Sequence, residues 1–202
     1  TNNIPFIVNM KVLRGGLSGV EFIEKPCDTE DEVIAAARDA DAVVVGREPY
    51  TARVITSLKS CRLISTPKVG YDNIDINAAT EMSICVACVA GVSTEEVSDM
   101  AMALLLTCAR KVLQLDKAVR DGRWRTLHGP EMEEIWRGIA PLRGQTLGLL
   151  GFGLIARALV PKAKGFGFRI LAYDPYVPAE IMDKMGVAAV SLERLLKESD
   201  FI

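Results

Sequence analysis

Two glycines and one carboxylate carry most of the chemistry in this sequence. Gly151 and Gly153 stand in Thr146-Leu-Gly-Leu-Leu-Gly-Phe-Gly-Leu-Ile-Ala156, and Asp174 follows in Tyr173-Asp-Pro175, at the roughly 20-residue distance a dinucleotide site uses. Gly151 sits where a strand must reverse sharply into a helix, in backbone angles that glycine alone adopts cheaply. Gly153 has no side chain, so a pyrophosphate can approach the backbone there. It would meet the free N–H groups of Leu154 and Ile155 and the positive end of the helix they begin. The third position of the pattern is Ala156, one methyl larger than glycine. A carboxylate at Asp174 would accept hydrogen bonds from ribose hydroxyls and repel a ribose phosphate, which points to NAD over NADP.

These residues need a particular scaffold. Leu147–Leu150 reads as a strand, Leu154–Lys164 as a helix and Arg169–Tyr173 as a second strand, so the glycine turn and the acid fall in register within a βαβ unit. Val187–Val190 is the expected third strand and Leu192–Glu198 the helix after it. Ser199–Ile202 reads as the opening of a fourth strand. A doubly wound fold has a second half across its switch point, so this lobe is expected to be incomplete in the chain. Upstream, Phe6–Val8, Val20–Ile23, Ala42–Val45, Arg62–Ser65 and Ile84–Val89 are strand candidates, with helical patterns over Thr29–Asp39 and Thr51–Ser60. Thr29 and Glu32 make a capping box. From a second box at Ser93–Glu96, Val97, Ala101, Leu105, Cys108, Val112, Leu115 and Val119 recur in steps of three and four. They predict one amphipathic helix over 94–120, roughly 40 Å long, that bridges two lobes or builds a subunit interface. Gly122–Gly144 is then a connector. The fold class is α/β, with two Rossmann-like or flavodoxin-like lobes on parallel sheets, residues 1–92 and 93–202.

Bulk composition excludes several alternatives. The formal charge of −2 gives no electrostatic footprint for nucleic acid or an anionic membrane. No apolar run approaches the roughly 18 residues of a membrane span, and no signal peptide is read at the start of the chain. Five irregularly placed cysteines point to a reducing compartment, with the cytoplasm as the expected location. Cys85 and Cys88 have redox or zinc spacing but no second pair and no neighbouring histidine, so they read as small buried thiols in a strand and no metal site is expected. The one histidine, His128, falls in the connector as a surface or packing residue.

Taken together, four motifs resemble the D-isomer-specific 2-hydroxyacid dehydrogenase family. They are Val69-Gly-Tyr-Asp-Asn-Ile-Asp75 with Ala78-Ala-Thr-Glu81; Val92–Val97 with Asp121-Gly-Arg-Trp124; Arg143–Gly153; and Tyr173-Asp-Pro-Tyr176. The stretches 143–153 and 164–176 look especially like the C-terminal-binding proteins, NAD-sensing corepressors on the same fold.

The resemblance implies reduction of a 2-oxo acid to a D-2-hydroxy acid by NADH, in a homodimer. It implies a cofactor site at Val97, Gly151, Gly153, Leu154, Ile155, Asp174 and Pro175. It also implies a substrate loop at Lys68, Val69 and Gly70, where the backbone N–H groups of Val69 and Gly70 face the substrate carboxylate. The family's histidine–glutamate pair and substrate arginine match no position within 1–202. Thr66, Pro67 and Lys68 stand where many members carry arginine, a variable residue and glycine. Lys68 either clamps an anionic substrate in place of that arginine or is a solvated loop lysine. Asp72 and Asn73 read as a turn and helix-cap device rather than as acid–base groups. Leu154 replaces a frequent arginine, which removes one side-chain contact to the cofactor. Two other outcomes follow from the same residues, an NAD(H)-responsive binding protein of the corepressor type or an inactive fragment.

Overall fold

The computed structural model describes residues 14–123 and 129–202. The Phe6–Val8 strand, Trp124 and His128 lie outside them. The chain forms two compact units, Thr1–Val92 and Ser93–Ile202. Among the described residues no helix is long and apolar enough to cross a membrane.

The first unit alternates helices α1 (Glu30–Ala37), α2 (Ala52–Ser57) and α3 (Ile76–Glu81) with strands β1 (Ala42–Val44), β2 (Leu63–Ser65) and β3 (Cys85–Ala87). The strands are all parallel in the order β1-β2-β3, with Val43 beside Ile64 and Ile64 beside Val86. Helix α1 begins on a complete capping box. Thr29 Oγ1 accepts from Glu32 N at 3.4 Å, and Glu32 Oε2 accepts from Thr29 N at 3.0 Å. Its core joins Val43, Val45 and Ile64 from the sheet to Val33, Val54, Ile55, Leu58 and Ala79 from the helices.

Two expectations for this unit fail. Val20–Ile23 forms no strand; Val20 and Ile23 are exposed, and β-branched residues without a ladder partner do not make a strand. Cys85 and Cys88 are exposed rather than buried. Strand β3 lies at an edge of the described sheet and turns only Val86 partly inward, which leaves Cys85 on the surface, and Cys88 falls just past the strand.

The second unit holds α4 (Thr94–Ala109), α5 (Val112–Arg120), α6 (Pro130–Arg137), β4 (Thr146–Leu150), α7 (Leu154–Gly165), β5 (Arg169–Tyr173), α8 (Ala179–Lys184), β6 (Ala188–Ala189) and α9 (Leu192–Glu198). Strands β4, β5 and β6 are parallel and adjacent in that order. A parallel bridge from Leu147 to Phe201 lies on the other side of β4. The strand order therefore reverses beside β4, and a ligand of such a sheet binds at the carboxyl end of the strands where this happens.

The predicted single helix over 94–120 is broken. Lys111 adopts a left-handed conformation (φ 53°) between α4 and α5. Its side-chain stem lies over Gly138, where a Cβ would come within 2.7 Å of Lys111 Cε. The buried face also differs from the predicted stripe: Val97, Cys108, Val112 and Val119 are exposed, and the buried positions are Ser98, Met102 and Ala109 on α4 and Ala118 on α5. The box at Ser93–Glu96 also fails to form, since Ser93 makes no side-chain cap. Lys162 of α7 reaches this turn through other carboxylates, at 2.9 Å from Glu95 Oε2 and 2.5 Å from Asp99 Oδ1. It also reaches the buried Ser98 Oγ at 2.5 Å, which fastens the first turns of α4 to α7.

Gly148, at the centre of β4, is required by packing. A Cβ there would run into Ser199 Oγ and come within 3.0 Å of Leu195 Cδ2. Gly148→Ala is expected to cost about 1–3 kcal/mol through overpacking, lowering Tm by several degrees at roughly 2–4 °C per kcal/mol. Thermal melts check this, and an unchanged Tm would contradict the packing described.

Candidate functional site

In the second unit, Leu150 ends β4 and the chain reverses at Gly151, whose φ of +95° is strained for any residue with a Cβ. Gly151 N donates to Tyr173 O at 2.8 Å, which keeps the turn beside the end of β5. Phe152 is buried in the core below. Gly153 precedes α7 in extended backbone that any residue adopts, and a Cβ added to it meets nothing within 4 Å. No internal neighbour demands glycine there; what the missing side chain leaves is open space in front of the loop.

That space faces the start of α7. Leu154 and Ile155 are exposed, no acidic residue lies in the first turn and no side chain caps it. Among the described residues, no acceptor is paired with the N–H of Leu154 or Ile155. The positive end of the helix dipole is thus unopposed. Ala156 is partly buried against the core, so the one-methyl enlargement is absorbed by packing.

Asp174 closes the other side of the cradle. Its Oδ2 accepts from Phe152 N at 2.7 Å and its Oδ1 from Tyr176 N at 2.8 Å. These two N–H groups, Phe152 first, hold its carboxyl below the usual aspartate range, with a smaller contribution from the Arg157 charge. A carboxylate oxygen has two lone pairs, so each oxygen keeps capacity for a further donor. Pro175 and Tyr176 beside it are exposed. Val97 is exposed on α4, between the residues that Lys162 holds.

Arg157 was not singled out from the sequence. Its Nε donates to Phe152 O at 3.0 Å and its guanidinium carbon lies 5.7 Å from the centre of the Phe152 ring. The available signal was a basic residue one turn into a helix whose first turn faces a glycine loop, a weak one because surface arginines are common on helices.

In the first unit, Lys68, Val69 and Gly70 follow β2 in one loop. Val69 and Gly70 are exposed, and among the described residues their N–H groups are paired with no acceptor. Lys68 is half-buried and donates through Nζ to Asn73 Oδ1 at 3.2 Å, so it is not a freely solvated lysine. Asn73 Nδ2 in turn donates to Glu48 O at 2.7 Å, and Glu48 Oε2 accepts from Gly46 N at 2.7 Å. Asn73 therefore ties the loop after β1 to the loop after β2. The cap of α3 is Asp75, whose Oδ1 accepts from Ala78 N at 3.0 Å, so the cap role expected of Asp72 and Asn73 belongs to Asp75. Thr66 is fully buried, and among the described residues its hydroxyl has no hydrogen-bond partner.

Residues 102–202 match the family model for the D-isomer specific 2-hydroxyacid dehydrogenase, NAD binding domain. The chain is 40% identical to a glyoxylate reductase of Korarchaeum cryptofilum, over 84% of this chain and 50% of that protein. It is 36% identical to a hydroxypyruvate reductase of Thermotoga maritima, over 90% of this chain and 55% of the relative. Among solved structures, D-lactate dehydrogenase from Aquifex aeolicus, complexed with NAD and lactic acid, superposes with a TM-score of 0.72. It is 26% identical and aligns over 83% of this chain and 48% of that one. The chain spans about half the length of these relatives. With a glycine turn, an unopposed helix start and an oriented carboxylate in the matched segment, the chain belongs to the D-isomer-specific 2-hydroxyacid dehydrogenase family, and residues 102–202 are its NAD-binding domain.

Proposed function

We propose that the protein is an NAD-dependent oxidoreductase that interconverts a 2-oxo acid and a D-2-hydroxy acid. The observation that carries this is the cradle formed by Gly151–Ile155 and Asp174, where unpaired N–H groups and an oriented carboxylate stand on either side of open space. Bound NADH supplies the hydride. In this reading Leu154 and Ile155 N–H hold the pyrophosphate, Gly153 leaves room for it, and Asp174 accepts from the adenosine ribose. Gly151 sets the turn, and Pro175 and Val97 line the cofactor. The unit 1–92 is the substrate lobe and 93–202 the cofactor lobe.

Lys68, Val69 and Gly70 hold the substrate carboxylate in this reading. The tie from Lys68 to Asn73 supports the clamp, because an ammonium already oriented loses less freedom on meeting an anion. A homodimer, supported by exposed Met100, Leu104 and Leu113 on α4 and α5, and a cytoplasmic location complete the proposal.

Two measurements test it. Asp174→Ala should weaken NADH binding at least about tenfold, as loss of hydrogen bonds to a charged group does, while NADPH binding changes little. Because the folded carboxyl is held low, its contribution is present above the ordinary aspartate range and is lost only as pH falls through the lowered value. NADH affinity of the unsubstituted chain should therefore show no Asp174 titration from pH 8 down to about pH 5. Unchanged NADH affinity in Asp174→Ala would contradict the cradle. In steady-state kinetics of the full-length protein, Lys68→Met should raise KM for the 2-oxo acid about tenfold with kcat little altered, the pattern of lost uniform binding. An unchanged KM would leave Lys68 with only its tie to Asn73.

A further inference from the structure

We propose that Arg157 is the positioning residue of the adenosine end of the cofactor site: by holding Phe152 from its carbonyl side it keeps Asp174 aimed, and so keeps the site selective for NADH over NADPH. The proposal rests on Asp174 being the ribose acceptor.

Phe152 is held at three points. Its ring is buried in the core, its N–H is bonded to Asp174 Oδ2 at 2.7 Å, and its carbonyl accepts from Arg157 Nε at 3.0 Å. A residue has only two soft backbone dihedrals. With the ring seated and the carbonyl fixed, the freedom that would let the Phe152 N–H swing away from the carboxylate is removed. The neighbours of Phe152 cannot supply this restraint. Gly151 and Gly153 have no side chains and are held by backbone bonds alone, Gly151 N to Tyr173 O at 2.8 Å and Arg157 N to Gly153 O at 3.1 Å, so neither offers a side chain to fix the Phe152 carbonyl.

Arg157 suits the task because its planar guanidinium can do two things at once. It covers the face of the Phe152 ring at 5.7 Å while Nε points at the carbonyl. Among the described residues it forms no ion pair within 4.0 Å, Asp174 included. Its charge favours the ionised form of Asp174 from a distance and leaves the carboxylate's lone pairs to the ribose hydroxyls. A direct salt bridge would have occupied them. Lysines further along α7 do not share the role. Lys162 is bonded to Glu95, Ser98 and Asp99, and Lys164 to Met185 O.

The selectivity follows from the geometry. An acid fixed at the ribose repels a ribose phosphate and accepts from a ribose hydroxyl. An acid free to turn into solvent does less of both. The test is titration of the full chain with NADH and with NADPH, for the unsubstituted protein, Arg157→Met, Arg157→Lys, Asp174→Ala and the Arg157→Met/Asp174→Ala double variant, with Tm measured for each. Arg157→Met should weaken NADH about tenfold and NADPH distinctly less, so that the preference for NADH shrinks. Arg157→Lys should lose preference as well, because it retains the charge but not the Nε bond. The double variant should bind NADH no worse than Asp174→Ala alone, since both changes remove one interaction. An undiminished preference in a folded Arg157→Met, while Asp174→Ala loses it, overturns the proposal and leaves the ribose reading standing. A larger loss for NADPH than for NADH overturns it in another way, by making Arg157 a direct phosphate ligand. Unchanged NADH binding in Asp174→Ala removes the ribose reading and the proposal together.

Discussion

The loop after β4 and the loop after β5 are joined by the hydrogen bond from Phe152 N–H to Asp174 Oδ2, and the cofactor cradle depends on it. It is a charge-assisted bond to an ionised acceptor, stronger than a neutral one. Its geometry follows from the parallel pairing of β4 with β5. Leu150 lies beside Tyr173, so the residues just past each strand emerge together. A slip of β5 by one residue in that register would carry Asp174 away from the turn and reverse the faces of β5. Gly148 protects the register from the other side, since its missing Cβ is what allows Ser199 and Leu195 to approach β4. A packing requirement in mid-strand and a chemical requirement at the strand end are therefore linked through one ladder.

The first unit uses a similar device with different groups. Asn73 spans the loops after β1 and β2, donating to Glu48 O and accepting from Lys68. An amide is suited to this because it offers both donors and an acceptor. As a result, Lys68 lies in a defined place at the end of a short strand, next to two N–H groups that the fold leaves unpaired. In both units the carboxyl ends of parallel strands carry loops fastened by a few side chains, and the residues whose N–H groups are left unpaired there are exposed.

Much of this was legible in the sequence because it is local. Gly151 and Asp174 are marked by turn chemistry and spacing, and Thr29 with Glu32 by a complete box. What escaped reading depended on backbone state or on partners distant in the chain. Ser93 and Glu96 are the right residues for a box, but Ser93 has ψ 22° where the working cap Thr29 has ψ 158°, a backbone state that residue types alone do not reveal. Lys111 gives no sign of a helix break, because lysine is an ordinary helix former and the glycine that leaves room for its side chain, Gly138, is distant in the chain. Cys85 and Cys88 sit in an apolar run whose exposure follows from strand position in the sheet, which composition does not encode. Arg157 became visible only once Phe152 was seen to fold beneath it. Asn73 does lie in the turn its type indicates, but its tie to the β1 loop is not legible because that partner, Glu48, is 25 residues away.

The central claim is that the start of α7 and Asp174 form one anion- and ribose-binding cradle. It is tested most directly by following the backbone amide resonances of the chain while NADH is added. The account predicts saturable shifts at Leu154 and Ile155, where the N–H groups gain an acceptor, together with shifts at Phe152 and Tyr176, which are bonded to Asp174. Saturable NADH binding that leaves these four amides unmoved would contradict it.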